Sequence, residues 1–236
     1  MSLDKTNHLD INRVVLLGRV FDEYYHMFNL RDISQSDTSI LDVASGVSSF
    51  CAEANAKGYN VTASDVIYNH LPEEIYEKGL SDVEEIMKKM PSVAHNYNWE
   101  YFKDIDALKA TRLNALTLFI EDYKEFRNKR YLNVEYPFSN FLENQFDITL
   151  VSHFLFLYED LLDYKFHKDT IKELAKITKN EIRIFPLVNL QGITSRYISQ
   201  LMSDIELQSL EFTIIKTDYS FIKNGNEMLA IRNTLL

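Results

Sequence analysis

The sequence predicts an α/β fold in which helices cover both faces of a mostly parallel sheet. Short apolar runs, typical of buried parallel strands, alternate along the chain with helical patterns. A turn containing Asn-Gly separates the last two predicted strands and indicates that they pair antiparallel. The chain has 236 residues, of which 46% are hydrophobic, with 14 Tyr and 15 Phe. This is enough apolar material for one large domain, so we expect a single domain over residues 1–236.

The most informative unit is residues 40–65, ILDVASGVSSFCAEANAKGYNVTASD. A short apolar run suits a buried strand, a helix follows from about Ser48 to Lys57 and stops at Gly58, and a second strand ends on Asp65. In nucleotide-binding units of this kind the loop and the helix N-terminus face the ligand. An acidic residue about 20 positions further on accepts hydrogen bonds from a ribose. Asp65 occupies that position, so the unit predicts a site for a nucleoside cofactor.

The glycines that are missing from this loop indicate which kind of cofactor binds. A dinucleotide site uses G-x-G-x-x-G so that the backbone can approach a pyrophosphate, whereas this loop keeps only Gly46. The charge of Asp42 at the end of the first strand would oppose a pyrophosphate and attract a cation. S-adenosylmethionine has no phosphate and carries a sulfonium and an ammonium. A ligand-free strand-loop-helix turn is the alternative for a loop with one glycine.

Residues 42–48, DVASGVS, resemble motif I of the class I S-adenosylmethionine-dependent methyltransferases, whose pattern is D-x-G-x-G-x-G. Gly46 matches the central glycine, and Ala44 and Ser48 replace the other two. The run GRVFDEYYHMFNL, residues 18–30, resembles an N-terminal helix of uncharacterised bacterial members of this superfamily. The resemblance implies S-adenosylmethionine as the cofactor.

The resemblance also implies a Rossmann-like methyltransferase fold with a seven-stranded, mostly parallel sheet, an antiparallel last strand and helices on both faces. The later strands fall where this order needs them, at residues 131–135, 145–152, 181–187, 212–216 and 227–232. Thr170 and Glu173 fit a capping box that opens a helix ending near Thr178. Apolar spacing predicts a further helix over residues 197–205.

Two helical segments are expected outside the minimal fold. Residues 1–35 are expected to form an N-terminal helical segment. Its apolar residues at helical spacing are Val14, Leu17, Phe21, Tyr24 and Phe28. Residues 66–130 are far longer than a crossover needs and contain two helical patterns, so we expect a helical insertion that caps the active site. A dimer interface or a thicker core is the alternative use of its apolar stripe.

Methyl transfer requires the protein to align the nucleophile with the methyl group, to exclude water and to remove a proton from the nucleophile. The resemblance places substrate-facing groups in the loop after the fourth strand, where His153 is the candidate general base. The cofactor-binding residues that follow from the resemblance are Asp42, Ala44, Ser45, Gly46, Asp65, Val66, Asn133 and Ser152. The substrate-pocket candidates are Arg19, Tyr24, Phe154 and Tyr158. Packing in the core is the alternative role for His153 and for the aromatic residues.

Composition narrows the classes of partner. A net charge of −10 argues against nucleic acid and against an anionic membrane, because both need a basic face. Cys51 is the single cysteine and excludes an intrachain disulfide, and no apolar run resembles a membrane span or a signal peptide, so we expect a cytoplasmic protein. No metal is expected, since the histidines lack ligand spacing. A homodimer is compatible with these features.

The sequence therefore predicts a methyltransferase that transfers the methyl group of S-adenosylmethionine to a small-molecule acceptor by in-line displacement. The alternative is a non-catalytic cofactor-binding or scaffold protein that keeps the fold, which the altered glycine loop favours. A dinucleotide-dependent oxidoreductase is disfavoured by the missing glycines and by Asp42.

Overall fold

A computed structural model of the chain describes residue 9 and residues 13–233. The remaining parts of the predicted domain, residues 1–8, 10–12 and 234–236, lie outside the described residues. The strands are β1 Ser39–Val43, β2 Asn60–Asp65, β3 Tyr131–Asn133, β4 Phe146–Ser152, β5 Thr178–Phe185, β6 Leu210–Lys216 and β7 Glu227–Asn233. The α-helices are α1 Phe21–Met27, α2 Phe50–Ala56, α3 Pro72–Val93, α4 Ile105–Phe126, α5 Tyr164–Ile177 and α6 Tyr197–Met202.

The strands form one sheet, which over the described residues has seven strands in the order β3-β2-β1-β4-β5-β7-β6. The pairs from β3 to β5 are parallel, and β7 is antiparallel to both β5 and β6. The predicted Rossmann-like sheet, mostly parallel with an antiparallel last strand, is confirmed.

The two faces of the sheet have separate apolar cores, because successive side chains of a strand point to opposite faces. In β1, Ile40 packs with α1 to α4, whereas Leu41 and Val43 pack with α5 and α6 on the other face. These side chains are fully buried. The continuous apolar run of β1 is therefore explained by a strand that is covered on both sides.

Several element boundaries differ from the sequence prediction, most clearly at the starts of α5 and β5. The capping box predicted at Thr170 is wrong, since α5 begins at Tyr164 and Thr170 is buried inside the helix. The true cap is Asp163, whose carboxylate accepts the Phe166 N–H at 2.8 Å. The strand β5 begins at Thr178, directly after α5, and not at Glu181.

The predicted N-terminal helix is wrong over residues 13–20, which we call the strap. The strap has no helical structure, and α1 begins at Phe21 and not near Val14. The Leu16 N–H donates to the Asp82 carboxylate at 2.8 Å instead of to a carbonyl one turn back. Tertiary contacts have thus replaced the helical hydrogen bonds that the apolar spacing predicts.

The insertion between β2 and β3 contains the two expected helices, α3 and α4, each of 22 residues. The two helices pack closely where Gly79 contacts Leu116. A Cβ at residue 79 would lie only 2.7 Å from a Leu116 methyl carbon. Both helices contribute to the larger apolar core. Across the part of the chain that the structure describes, no helix is both long and apolar enough to cross a membrane.

Candidate functional site

A cavity of about 350 Å³ lies at the carboxyl ends of the parallel strands. Its wall contains the residues at the ends of β1 (44–48), β2 (65–67), β3 (134–136) and β4 (152–154), each either the last of its strand or directly after it. Ligands of open α/β sheets bind at this edge, and the volume is that of a small-molecule site. The cavity is therefore the candidate functional site.

The loop after β1 has a backbone that suits glycine. Ala44 has φ 50° and Gly46 has φ 57°, which are both left-handed. At Ala44, a position where the resemblance expects glycine, this conformation costs about 1 kcal/mol. Asp65 holds the loop in place, because its carboxylate accepts the Gly46 N–H at 2.9 Å and the Ile67 N–H at 3.0 Å. The ends of β1 and β2 are thereby joined at the wall of the cavity.

Asp42 lies beneath the cavity wall and does not line it. Its carboxylate is fully buried and accepts hydrogen bonds from the Tyr24 hydroxyl, 3.1 Å from each oxygen, and from the Ser45 hydroxyl at 2.5 Å. Burial raises the pKa of Asp42 to about 7, against the lowering effect of these hydrogen bonds, and the nearby charge of Asp65 adds to the rise. Tyr24 and Ser45 therefore stand between Asp42 and a ligand.

His153 stands at the start of the loop after β4 in a left-handed conformation, with φ 52°. Its ring Nδ1 is 3.0 Å from the Ser152 hydroxyl, and its backbone N–H donates to the Phe185 backbone carbonyl at 2.6 Å. Burial lowers the pKa of His153 well below its usual value, and the positive charges of Arg19 and Arg112 lower it further. His153 is therefore neutral at physiological pH, and a neutral imidazole can accept a hydrogen bond.

The strap lines the cavity and is fixed to two other elements. The Asp82 carboxylate on α3 accepts the Leu16 N–H and a bidentate pair from Arg13, at 2.7 and 3.1 Å. The Val15 N–H donates to the Tyr158 hydroxyl at 3.3 Å. Strap residues that line the cavity are Val14, Val15, Leu16, Leu17 and Arg19. The strap therefore forms part of the cavity wall.

The strap also covers the N-terminus of α2. The Arg19 carbonyl accepts the Ser49 N–H at 3.0 Å and the Ser48 hydroxyl at 2.8 Å. A Cβ at Gly18 would lie 2.2 Å from the Val47 carbonyl oxygen, so only glycine allows the strap to come this close. The Ser49 N–H, directly before the first residue of α2, is thus already used and is not available to a phosphate.

A buried ion pair joins three elements around the cavity. Arg112 on α4 bonds both carboxylate oxygens of Glu23 on α1, at 2.5 and 2.9 Å, and donates to the Gly18 carbonyl at 3.1 Å. The Tyr219 hydroxyl, between β6 and β7, donates to Glu23 at 2.6 Å. The exposed fraction is 3% for Arg112 and 0% for Glu23. This pair connects the N-terminal segment, the insertion and the last strands.

Most of the residues that the sequence singles out face this one cavity. The wall contains Arg19, Tyr24, Ala44, Ser45, Gly46, Asp65, Val66, Ser152, His153, Phe154 and Tyr158. Asn133 is exposed and does not line the cavity, whereas the next three residues, 134–136, do. Asp42 is the other exception, because Tyr24 and Ser45 cover it. The individual roles of these residues stay predictions.

The sequence interpretation missed several residues of the wall. Arg112 could have been found from the sequence, since it is a charged residue on the apolar face of α4. That face also includes Leu108 and Leu116, and it is buried. Such a residue is either paired or functional. Tyr136, whose hydroxyl lies 2.8 Å from the Ser64 hydroxyl, could not have been found in this way, because it follows an edge strand of only three residues.

Comparison with known proteins defines the family. No family model matches the chain. The uncharacterised protein MJ0045 of Methanocaldococcus jannaschii is 49% identical over 226 residues, which cover 95% of this chain and 99% of that protein. The chain belongs to the family of MJ0045. This relative is archaeal, so the predicted bacterial branch is not supported.

Solved structures share the general arrangement at low similarity. Magnesium protoporphyrin IX methyltransferase (ChlM) of Synechocystis PCC 6803 with bound SAH is 8% identical, with a TM-score of 0.49 over 87% of this chain and 78% of that one. The N-methyltransferase NodS of Bradyrhizobium japonicum, in complex with S-adenosyl-L-homocysteine, is 12% identical, with a TM-score of 0.48 over 90% and 86%. Similarity this low says nothing about what the present chain binds.

Proposed function

We propose that this protein is an S-adenosylmethionine-dependent methyltransferase that acts on a small-molecule acceptor. The observation that supports this best is the hydrogen bond from the Gly46 N–H to Asp65. It puts the glycine loop and the acidic end of β2 side by side on the cavity wall. The Asp65 carboxylate has acceptor capacity beyond its backbone hydrogen bonds, and this would hold a ribose hydroxyl.

The charges near this loop favour a cationic cofactor. Asp42 and Asp65 are carboxylates without a basic partner among the described residues. The sulfonium and the ammonium of S-adenosylmethionine would be attracted to them, whereas a pyrophosphate would be repelled. The strap backbone at the N-terminus of α2 also argues against a dinucleotide, because the Arg19 carbonyl already accepts the Ser49 N–H and the Ser48 hydroxyl there.

The size and the apolar lining of the cavity favour a small acceptor. The strap and the insertion helices contribute to its wall, and Met87, Met90 and Leu108 form part of the apolar lining. An apolar site of this size would limit water and align the acceptor with the methyl group. His153 would accept a hydrogen bond from the acceptor nucleophile. Its lowered pKa makes it a weak base, so it would take a proton only from a nucleophile that loses its own readily.

The proposal is tested by calorimetric titration of the purified protein with S-adenosylmethionine, S-adenosylhomocysteine and NAD. We expect the two adenosyl ligands to bind and NAD to give no heat, since NAD would place a pyrophosphate against the covered helix. Failure of both adenosyl ligands to bind would overturn the proposal. Binding of NAD would point to an oxidoreductase instead.

Cofactor binding is expected to release a proton below about pH 7 because of Asp42. The folded-state pKa of Asp42 is raised, so between the unfolded-state pKa and about pH 7 the folded protein holds a proton that the unfolded chain has lost. This bound proton stabilises the fold, and the stabilisation is lost as the pH rises through about 7. A bound cation favours the carboxylate and therefore expels this proton. Calorimetry in two buffers with different heats of ionisation measures the release. Identical heats in both buffers would contradict the prediction, and Asp42→Asn should remove the difference.

A further inference from the structure

The cavity contains more positive than negative charge at the end formed by the strap, α4 and the loop after β4. Arg19 and Arg112 both line it, but Glu23 bonds Arg112 and not Arg19. His153 lines the same end, but an imidazole cannot supply a negative charge. One guanidinium is therefore uncompensated.

Arg19 has few partners of its own. Its Nη1 donates to the Leu17 carbonyl at 2.9 Å, and its Nε is buried without a hydrogen-bond partner. Within the described residues, no carboxylate forms an ion pair with it. Around it are the hydroxyls of Tyr24, Tyr97, Tyr158 and Tyr219, whose pKa values are all raised by burial, so that they stay neutral. A cation in such surroundings is costly unless an anion joins it.

The position of Arg19 points to the acceptor more than to the nucleoside. The groups that its charge acts on include His153, Tyr97 and Tyr158, which belong to the loops after β4 and α3. The partners of Asp65 are instead backbone N–H groups of residues 46, 66 and 67. Apolar side chains continue the wall from Arg19, namely Leu17, Met87, Met90, Leu108, Phe221 and Ile222.

We propose that the methyl acceptor is an organic anion whose carboxylate or phosphate group binds Arg19 while its apolar body lies against the insertion helices. The inference rests on the proposed function. A guanidinium forms two parallel hydrogen bonds with either oxyanion, and these bonds are stronger than those between neutral groups. The Arg112–Glu23 pair cannot serve in its place, because its charges are already matched.

The test uses three ligands that share a phenyl ring: benzoate, phenylphosphonate and neutral benzamide. Each is titrated calorimetrically into the full-length protein saturated with S-adenosylhomocysteine. We expect at least one of the anions to bind more tightly than benzamide. A preference for benzoate identifies a carboxylate, and a preference for phenylphosphonate identifies a phosphate. Arg19→Met should weaken the preferred anion by about tenfold or more and leave the affinity for S-adenosylhomocysteine unchanged.

Arg127→Met is the matched control. Arg127 also has a buried Nε without a partner and one carbonyl contact, to Asn69 at 2.8 Å, but it does not line the cavity. This variant should bind the anion normally. The inference is overturned if neither anion binds better than benzamide, if Arg19→Met retains the anion, or if the anions compete with S-adenosylhomocysteine. The last result would assign Arg19 to the cofactor carboxylate.

Failure of the proposed function has a different signature. If S-adenosylhomocysteine itself does not bind, the same three ligands are titrated into the free protein. Anion binding that depends on Arg19 would then support an anion site without supporting the methyltransferase assignment.

Discussion

Replacing Asp65 by alanine is expected to weaken S-adenosylmethionine binding by about 10- to 150-fold, which corresponds to about 1.5–3 kcal/mol. The variant removes the carboxylate that would hold the ribose. It also releases the Gly46 and Ile67 N–H groups, which Asp65 accepts at 2.9 and 3.0 Å. The loop would lose its anchor, so the strained φ of Ala44 would be free to relax. Calorimetry measures the affinity, and urea unfolding measures the change in stability.

Asp147→Ala is the control for the loss of a carboxylate that holds the backbone. Asp147 accepts the Ser39 N–H at 2.9 Å and the Ser39 hydroxyl at 2.7 Å, but at the amino ends of β1 and β4, the edge opposite to the cavity. It should lose stability and keep its affinity for the cofactor. Equal loss of affinity in both variants would show that Asp65 acts on the fold and not on the ligand.

The parts of the site that the sequence predicted are the local ones. Gly46 and Asp65 lie 19 positions apart in one strand-loop-helix-strand unit, so the fold of that unit alone brings them together. The positions of the strands were also predictable, because most have an apolar run of their own and the Asn224-Gly225 turn lies between the last two, whereas the mostly parallel sheet followed from the resemblance. His153 could be placed because it follows β4 directly.

The parts that the sequence did not predict depend on distant contacts. The apolar spacing of the N-terminal segment fits a helix, but the strap takes its shape from Asp82, 66 residues after Leu16. The partner of Arg112 is 89 residues away, and no spacing rule joins two residues at that distance. Asn133 was misplaced for a different reason. Asn133 is the last residue of the edge strand β3, but its side chain is exposed, and the wall is formed by the residues that follow it.

Glu23→Gln is expected to destabilise the folded protein by about 3–5 kcal/mol, because it leaves the Arg112 guanidinium buried without an opposite charge. Burial alone would raise the pKa of Glu23, but the charge of Arg112 and its hydrogen bonds lower it below the ordinary value. The pair therefore stabilises the fold above the unfolded-state pKa of glutamate, and this contribution is lost as the pH falls through the lower folded-state value. Urea unfolding at neutral pH measures the cost.

Arg112→Met and the double variant complete a cycle that separates the ion pair from the loss of packing. Met fills most of the space of the aliphatic part of Arg112, and the double variant leaves no buried charge without an opposite charge. Its destabilisation should therefore be smaller than the sum of the two single variants by about 1–3 kcal/mol. The exposed pair Lys165–Asp169 is the reference, and Asp169→Asn should cost less than about 1 kcal/mol. Additive costs in the cycle would mean that Glu23 and Arg112 stabilise the cavity wall independently. In that case the pair would not be what holds α1, α4 and the β6–β7 connection together around the candidate site.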